Sequence, residues 1–371
     1  MVKILRFVTS NVSKCMGRIA IQFYRFASKR HSFRVLLNHV PLSMLKIGGN
    51  IAGSSLESSF IDNPSQGTIG LIVQSGSMKT ILLNQLAKEG LGLSRLIYYY
   101  DRMNRGCDES EFIEELAQDP RTRVILFCTE SISKGRRFII ASSKVTASKP
   151  IVVFKSGRSE VAARAVSSHV GSLAGSDAIY NAAFRQSGCL RVDTIEELID
   201  SAKALSFQQP AKGKKVGILT NGGGAGIVAA DACLNKGLEV PALSQSIREC
   251  FKKEIPLFSG VTNPLDLKVL ATAEVYANAI DCLLTSDEVD LIILMVYPTP
   301  ALDVDKFVGL ILKLQRKFTK PLVICGSGSD KFIDRLRALE SSNIPVYILP
   351  ERAVSGASAL AYFGRVQEKI K

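Results

Sequence analysis

The sequence predicts an α/β protein built from two flavodoxin-like parallel-sheet domains, at residues 67–207 and 214–371. Short apolar runs such as IGLIV (69–73) are bounded by turn residues, as strands buried in parallel sheets are. Each run precedes a stretch with helical pattern and length, and strands that alternate with helices form doubly wound sheets. This cycle restarts after a linker, FQQPAKGKK (207–215), and 371 residues exceed what one core usually covers.

The predicted elements follow one another at regular spacing. In the first domain strands are expected at 69–73, 95–100, 124–128 and 151–155, and helices at 78–89, 109–118, 135–146, 177–186 and 195–205. Asp108 and Glu109 support the helix at 109–118, because acidic residues favour the positive end of a helix dipole. The second domain opens with a strand at 216–220 and a helix through Lys236, and its later strands are predicted at 291–296, 321–325 and 345–349.

The positive charge of the chain is concentrated at its beginning. The net charge is +13, yet residues 1–56 hold nine Lys or Arg and no acid, which leaves 38 basic against 34 acidic residues in the remainder. This nearly balanced body argues against nucleic acid as a partner. No uncharged apolar run reaches the roughly 18 residues that a membrane-spanning helix needs, so no membrane span is predicted.

The leader at residues 1–45 is rich in Arg, Ser and aromatic residues and contains no acid. Such a composition predicts a transit peptide and a location in the mitochondrial or a related organelle matrix. The alternative is a divergent start of a cytoplasmic protein. Residues 46–66 are rich in Gly, Ser and Asn and are interpreted as a linker.

Eight cysteines are scattered through the chain without a CxxC motif, and Cys128 and Cys325 end apolar runs. This pattern predicts buried free thiols in a reducing compartment and no disulfides. The chain has three histidines, too few for a metal-ligand cluster, so no metal site is predicted.

Ligands of such sheets bind at the carboxyl ends of the strands, beside helix N-termini, which singles out three loops. The first, Gln74-Ser75-Gly76-Ser77, suits an anion, with a plain Ser-capped turn as the alternative. The second, Asn221-Gly222-Gly223-Gly224-Ala225-Gly226, suits close approach of a phosphoryl group. GAGIVA (224–229) also fits a dinucleotide pattern, hence a nicotinamide-dependent oxidoreductase, but PALSQSI (241–247) lacks the acid expected about 20 residues on.

The third loop, at 167–172, follows the strand at 151–155 and carries His169, the only histidine outside the leader. A lone histidine is usually structural or merely exposed. Small neighbours leave this ring uncovered, however, and imidazole is a nucleophile with a pKa near neutrality. Helix N-termini from the two glycine-bearing loops would stabilise a phosphoryl group on the ring. The sequence therefore predicts a phosphohistidine intermediate.

Four segments resemble the NDP-forming acyl-CoA synthetases, which include ADP-forming acetate–CoA ligase and are relatives of succinyl-CoA synthetase. These segments are IGLIVQSGS (69–77), SSHVGSLAGSDAIYNAAFRQSG (167–188), VGILTNGGGAGIVAAD (216–231) and NPLDL (263–267). The resemblance implies an α-subunit-like chain of an acid–thiol ligase. Such an enzyme interconverts acyl-CoA, ADP and phosphate with a carboxylic acid, CoA and ATP, through an acyl phosphate and a phosphohistidine.

The resemblance also implies the roles of individual residues. His169 is the phosphorylated histidine, and Glu130 in ILFCTES orients and charges its ring. For Glu130 taken alone, the alternative is a solvated acid at a strand end. The phosphate-binding residues implied by the resemblance are Gln74, Ser75, Gly76, Ser77, Ser168, Gly171, Asn221, Gly222, Gly223 and Gly224.

The chain departs from the family pattern in ways that define its expected partners. Members usually begin with a CoA-binding Rossmann domain, of which only the tail is expected here, around Gly48–Phe60, so a separate CoA-binding chain is a candidate partner. ADP or ATP with Mg²⁺ is expected on an ATP-grasp β subunit. Lys79 would add a charge near the anion, and Val170 stands where the family has Thr. The alternative function is a non-catalytic regulatory or binding subunit derived from this family.

Overall fold

The structure is a computed structural model that describes residues 64–99, 108–170, 175–254, 262–317 and 319–369. The side chains of 167–170 and 253–254 are outside this description. The predicted leader, nearly all of the linker at 46–66 and the site residue Gly171 also lie outside the described residues.

Two five-stranded parallel sheets confirm the predicted fold class. The strands of the first sheet are β1 (Gln66–Val73), β2 (Leu93–Tyr98), β3 (Val124–Thr129), β4 (Ile151–Lys155) and β5 (Leu190–Val192). Those of the second are β6 (Val216–Thr220), β7 (Leu265–Asp266), β8 (Leu291–Val296), β9 (Leu322–Gly326) and β10 (Val346–Tyr347). The orders β2-β1-β3-β4-β5 and β7-β6-β8-β9-β10 are the same flavodoxin-like order, formed twice along the chain.

Helices cover both faces of each sheet. The first unit, residues 64–207, contains α1 (Gly76–Lys88), α2 (Glu109–Gln118), α3 (Gly135–Thr146), α4 (Glu160–Val170), α5 (Asp177–Gln186) and α6 (Ile195–Phe207). The second unit, residues 214–369, contains α7 (Gly223–Asn235), α8 (Gln245–Glu254), α9 (Ala273–Leu284), α10 (Val304–Leu314), α11 (Asp330–Arg337) and α12 (Pro350–Glu368). None of the described helices combines the length and apolarity that a bilayer span requires.

The structure differs from the sequence-based prediction at short strands and at one loop. The strands β5 and β7 have three and two residues, too few to show a hydrophobic period. The segment predicted as the loop 167–172 is helical through Val170, because the run EVAARAV at 160–166 supplies good helix formers.

One apolar core joins the two units. Leu71 and Val73 of β1 point into a cluster that also contains Leu205 of α6 and Leu360 of α12, whereas Ile72 points to the opposite face of the first sheet. Helices α6 and α12 pack against each other between the units. The two sheets therefore share a buried interface.

The cysteine prediction is wrong for one pair. Cys250 on α8 and Cys282 on α9 form a disulfide and lie 32 positions apart in sequence. Neighbouring helices bring the two residues together, which no local pattern reveals. The thiols of Cys128, Cys189, Cys233 and Cys325 are free and buried, as the apolar runs around Cys128 and Cys325 predict.

Candidate active site

The carboxyl ends of β1 and β3 meet at the centre of the first sheet, where the strand order reverses. Gln74 follows β1 directly, and its side chain is buried against the residues that follow β3. Its Oε1 accepts hydrogen bonds from the backbone N–H of Glu130 (2.7 Å) and of Ser131 (3.1 Å) and from Thr129 Oγ1 (3.0 Å). Gln74 thus fixes the backbone that carries Glu130.

The next two N–H groups of this loop are also bound by side chains. Ile132 donates to the phenolic oxygen of Tyr180 on α5 at 3.2 Å, and Ser133 donates to a carboxylate oxygen of Glu109 on α2 at 3.2 Å. Four successive N–H groups, at 130–133, therefore have acceptors from three different elements. A loop bound in this way holds the partly exposed Glu130 in one place.

The N-terminus of α1 lies beside this loop and has N–H groups available. Ser75 is the N-cap, but its side chain caps no N–H and instead lies 3.1 Å from Ser77 Oγ. The first helical bond is donated by Lys79 to the carbonyl of Ser75, and no described residue accepts from the N–H groups at 76–78. Such N–H groups and the helix dipole suit an anion, and anion binding by Ser75, Gly76 and Ser77 stays a prediction.

Lys79 lies on the first turn of α1, and its ammonium is 5.1 Å from the ring centroid of Tyr98. A Cβ on Gly76 would lie 3.3 Å from the hydroxyl of the same tyrosine. The Lys79 ammonium thus contacts the Tyr98 ring, and its predicted contribution to an anion site stays a prediction.

The side-chain amides of Gln74 and Asn221 bind backbone groups of the protein, and phosphate binding at these two positions stays a prediction. Asn221 follows β6 as Gln74 follows β1, and its amide accepts from the backbone N–H of Tyr297 (3.0 Å) and donates to the Tyr297 carbonyl (2.8 Å). Both amides thus bind the backbone at the end of the neighbouring strand. The position of a polar residue directly after the first strand of each unit is the sequence signal of this shared role.

The second glycine-bearing loop starts α7, and Gly222 is an N-cap without a capping side chain. A Cβ on Gly223 would lie 2.8 Å from Oδ2 of Asp266, a close approach that glycine permits. The ammonium of Lys268 lies 2.7 Å from the same carboxylate. An anion at Gly223 and Gly224 would therefore meet one carboxylate and one ammonium besides the helix N-terminus. No described hydrogen bond joins this loop to residues 74–77.

His169 and Ser168 lie in the last turn of α4, the helix that follows β4 in the chain. Their side chains are outside the described part of the chain, so the contact between Glu130 and His169 stays a prediction. Tyr180, on the first turn of the following helix α5, reaches back to the Glu130 loop through Ile132. The segment that carries His169 is therefore anchored next to Glu130 at its C-terminal side.

Two residues that build the Glu130 loop, Glu109 and Tyr180, were not predicted from the sequence as site residues. Glu109 was noted only as an acidic residue at a helix start, yet its side chain is buried and binds both Ser133 N–H and Ser133 Oγ (2.9 Å). A glutamate that the fold buries at the start of a helix has no separate sequence signal. Tyr180 lies within the segment 167–188 but was given no role.

The arrangement has the chemistry of an anion site beside a carboxylate. Glu130 supplies a negative charge that can orient an imidazolium, and α1 supplies N–H groups that have no acceptor among the described residues. Among the residues that the structure describes, no group of three or more His, Cys, Asp or Glu side chains is arranged to bind a metal ion. The fold and the site together define a flavodoxin-like α/β protein with a candidate phosphoryl site at the carboxyl edge of its first sheet.

Comparison with known proteins then gives the family. Residues 66–205 match the family described as "Succinyl-CoA ligase like flavodoxin domain", and residues 216–348 match the family described as "Ligase-CoA domain". The chain belongs to the NDP-forming acyl-CoA synthetases, the family of ADP-forming acetate–CoA ligase.

Two relatives that resemble the chain are ADP-forming ligases. It is 36% identical over 307 residues to acetate–CoA ligase [ADP-forming] I subunit alpha of Pyrococcus furiosus, covering 82% of this chain and 66% of that protein. Over 306 residues it is 35% identical to acetate–CoA ligase [ADP-forming] I of Archaeoglobus fulgidus, covering 82% of this chain and 43% of the relative. The chain thus spans less than two thirds of the Archaeoglobus relative and about two thirds of the Pyrococcus subunit.

A solved structure shares the fold. The acetyl-coenzyme A synthetase 1 of Candidatus Korarchaeum cryptofilum, described as dinucleotide forming and determined in complex with phosphate and ADP, superposes with a TM-score of 0.77 at 31% identity. The match covers 83% of this chain and 67% of the other.

Proposed function

We propose that this chain is the α-subunit-like component of an ADP-forming acyl-CoA ligase, in which His169 carries the phosphoryl group. The overall reaction interconverts acyl-CoA, ADP and phosphate with a carboxylic acid, CoA and ATP. Membership of a family whose related members are ADP-forming acyl-CoA ligases supports this assignment.

The observation that carries the proposal is the fixed position of Glu130 beside the free N-terminus of α1. The Gln74 amide holds the Glu130 backbone at 2.7 Å, and the N–H groups at 76–78 have no described acceptor. Such a helix end stabilises the roughly two negative charges of a phosphoryl group better than water-exposed backbone does. His169 is the only histidine outside the leader.

In the proposed step an acyl phosphate phosphorylates His169. An imidazole nitrogen attacks phosphorus, the bond from phosphorus to the acyl oxygen breaks, and the carboxylate leaves while the attacking ring loses a proton to solvent. Glu130 stabilises the imidazolium that forms on attack, which lowers the barrier in both directions. The phosphoryl group then passes to ADP.

Several components lie on partners in this proposal. ADP or ATP with Mg²⁺ binds an ATP-grasp β subunit, and CoA binds either that complex or a separate CoA-binding chain. The small carboxylic acid is released after phosphoryl transfer. The basic leader at 1–45 supports import into an organelle matrix as a further part of the proposal.

The test uses mass spectrometry on the full chain after incubation with acetyl phosphate, and in a second arm with Mg-ATP and an ATP-grasp subunit. The expected result is a mass increase of one HPO₃ on the His169 peptide that is labile to acid and stable to base. A His169→Asn variant is the matched control, and it should remain unmodified under both conditions.

The alternative function, a non-catalytic binding subunit, gives a different result. The chain would then bind the ATP-grasp subunit without becoming phosphorylated, while an α subunit from a related ligase is phosphorylated in parallel. Phosphorylation of the His169→Asn variant to the same extent would disprove the role of His169.

A further inference from the structure

Lys155, the last residue of β4, has a buried ammonium with an unusual set of partners. Its side chain is 1% exposed, although lysine is among the residues least often buried. No carboxylate in the described part of the chain forms an ion pair with it. A buried cation of this kind persists only when other groups compensate its lost hydration, so its contacts indicate what it holds.

Two of these contacts lie at the start of the segment that carries His169. The ammonium donates to the carbonyl oxygens of Ser156 at 2.7 Å and Gly157 at 3.3 Å. Gly157 has φ of 76°, in the left-handed region, and a Cβ there would lie 2.6 Å from Val166 of α4. The turn that leads into α4 is therefore tight, and Lys155 binds both of its carbonyls.

The third contact lies at the end of the same segment. The ammonium is 4.5 Å from the ring centroid of Tyr180, on the first turn of α5. Cation–π contacts are strongest when the cation is desolvated, as it is here. Tyr180 in turn accepts from Ile132 N–H in the loop that carries Glu130.

The position of Lys155 in the sheet places it next to that loop as well. Thr129, the last residue of β3, pairs with Lys155 across the two strands, and Glu130 follows it. Burial lowers the pKa of the Lys155 ammonium, and the nearby carboxylates of Asp177 and Glu130 act in the opposite direction. One cation therefore contacts both ends of the segment 156–180 at the edge of the Glu130 loop.

We infer that Lys155 is a positioning residue for phosphoryl transfer, which holds the two ends of the His169 segment in register with the Glu130 loop. This inference rests on the proposed function. The position of the His169 segment matters for the rate, because displacement of a nucleophile by about 1 Å slows the reaction roughly 100-fold. The strand IVVFK (151–155), apolar until its final lysine, is the sequence signal of this residue.

The test compares Lys155→Met with Lys149→Met in the full chain. Lys149 is a matched control, because its ammonium also donates to two backbone carbonyls, of Leu116 (3.2 Å) and Asp119 (2.7 Å), but it precedes β4 at the opposite edge of the sheet. The rate of His169 phosphorylation is followed against acetyl phosphate concentration and normalised to folded protein. We expect the maximal rate of Lys155→Met to fall by about 10- to 100-fold, with a half-saturating concentration unchanged within about 2-fold.

Two further variants separate positioning from general stability. Lys155→Arg retains the cation and its donors and should recover part of the rate. Tyr180→Leu removes the ring but leaves the ammonium and the carbonyls, and it should lower the maximal rate in the same way. This variant replaces Lys155→Met as the test if Lys155→Met fails to fold. Equal maximal rates in Lys155→Met, Lys149→Met and the unmodified sequence would overturn the inference.

Hydrogen exchange keeps this inference distinct from the proposed function. Peptides covering 156–180 should exchange faster in Lys155→Met than in Lys149→Met, whether or not His169 accepts a phosphoryl group. If the chain without substitutions is never phosphorylated, the proposed function is wrong. If hydrogen exchange at 156–180 is the same in Lys155→Met as in Lys149→Met, the positioning role of Lys155 is wrong.

Discussion

The ammonium of Lys203, on α6 of the first unit, lies 2.8 Å from the carboxylate of Glu340 in the second unit. It also binds Glu89 at 2.7 Å and the carbonyl oxygen of Val346 at 3.0 Å. The Lys203 side chain is 1% exposed, so this ion pair is desolvated and crosses the interface between the sheets. Because the interface is also part of the shared apolar core, the two units are expected to unfold together.

Removal of this cation should therefore destabilise the whole chain. Lys203→Met leaves Glu340 without its ion-pair partner, while Glu89 keeps its ion pair with Arg352 at 2.9 Å. We expect a loss of roughly 3 kcal/mol in the free energy of unfolding. Equilibrium urea denaturation measures the change. The control is Lys317→Met, whose ion pair with Asp281 is exposed on both sides and should contribute less than about 1 kcal/mol. Equal losses in the two variants would contradict the prediction.

A second prediction concerns the pH dependence of stability. Burial raises the pKa of Asp200 to about 7, although Arg352 donates to its Oδ1 at 2.7 Å and lowers it in part. Its other carboxylate oxygen, Oδ2, has no hydrogen-bond partner among the described residues, which favours the protonated form. In the unfolded chain the carboxyl has its ordinary pKa of about 3.9.

The direction in which stability changes with pH follows from proton binding by the Asp200 carboxyl in the folded and unfolded chain. Between about pH 4 and pH 7 the folded carboxyl is protonated and the unfolded one is ionised, so the contribution of Asp200 to stability falls as pH rises. The maximum slope for one proton is about 1.4 kcal/mol per pH unit. Urea denaturation at several pH values should show that Asp200→Asn lacks this decrease. Parallel pH profiles for the variant and the unmodified protein would count against a protonated Asp200.

Close packing of α12 gives a third prediction. A Cβ on Gly364 would overlap the carbonyl oxygen of Ala211, which lies in the linker between the units. Gly364→Ala should therefore lower the free energy of unfolding by about 2–3 kcal/mol, because backbone cannot move aside as a side chain can. Gly309→Ala on α10 is the control. Nothing lies within 4 Å of its added Cβ, and it should stabilise the chain by about 0.5–1 kcal/mol. Thermal unfolding measures the stability change in both variants. If Gly364→Ala leaves stability unchanged, the close contact with Ala211 is disproved.

The last prediction tests the amide that holds Glu130. Gln74→Met keeps the side-chain volume but removes the acceptor for Glu130 N–H, Ser131 N–H and Thr129 Oγ1. We expect a loss of about 2–3 kcal/mol in stability, since buried donors then lack partners. Phosphorylation of His169 should also slow per folded molecule. Gln85→Met on the exposed side of α1 is the control, and the prediction fails if the two methionine variants behave alike.

The sequence predicted the sheets where the strands are long. IGLIV and VGILT are apolar throughout because helices cover both faces of each sheet, and that burial is encoded residue by residue. The edge strands β5 and β7, of three and two residues, carry no such pattern and pair with a neighbouring strand, whereas the two-residue β10 lies within the predicted strand at 345–349. The whole of helix α4 (Glu160–Val170) was missed, because the residues after the strand at 151–155 were interpreted as a loop.

For the site, the sequence by itself determined which loops follow the strands and which chemical groups they carry, since strand ends and glycines are local features. Only the tertiary structure decided what those groups do. Gln74 and Asn221 are predicted as members of phosphate-binding loops, and the fold adds a second role by placing a backbone N–H of a neighbouring strand end within hydrogen-bond reach of each amide. Lys155, Tyr180 and Glu109 gain their roles in the same way. Their partners are 24 or more residues away in sequence, or are backbone groups that every residue has, and such pairings leave no pattern along the chain.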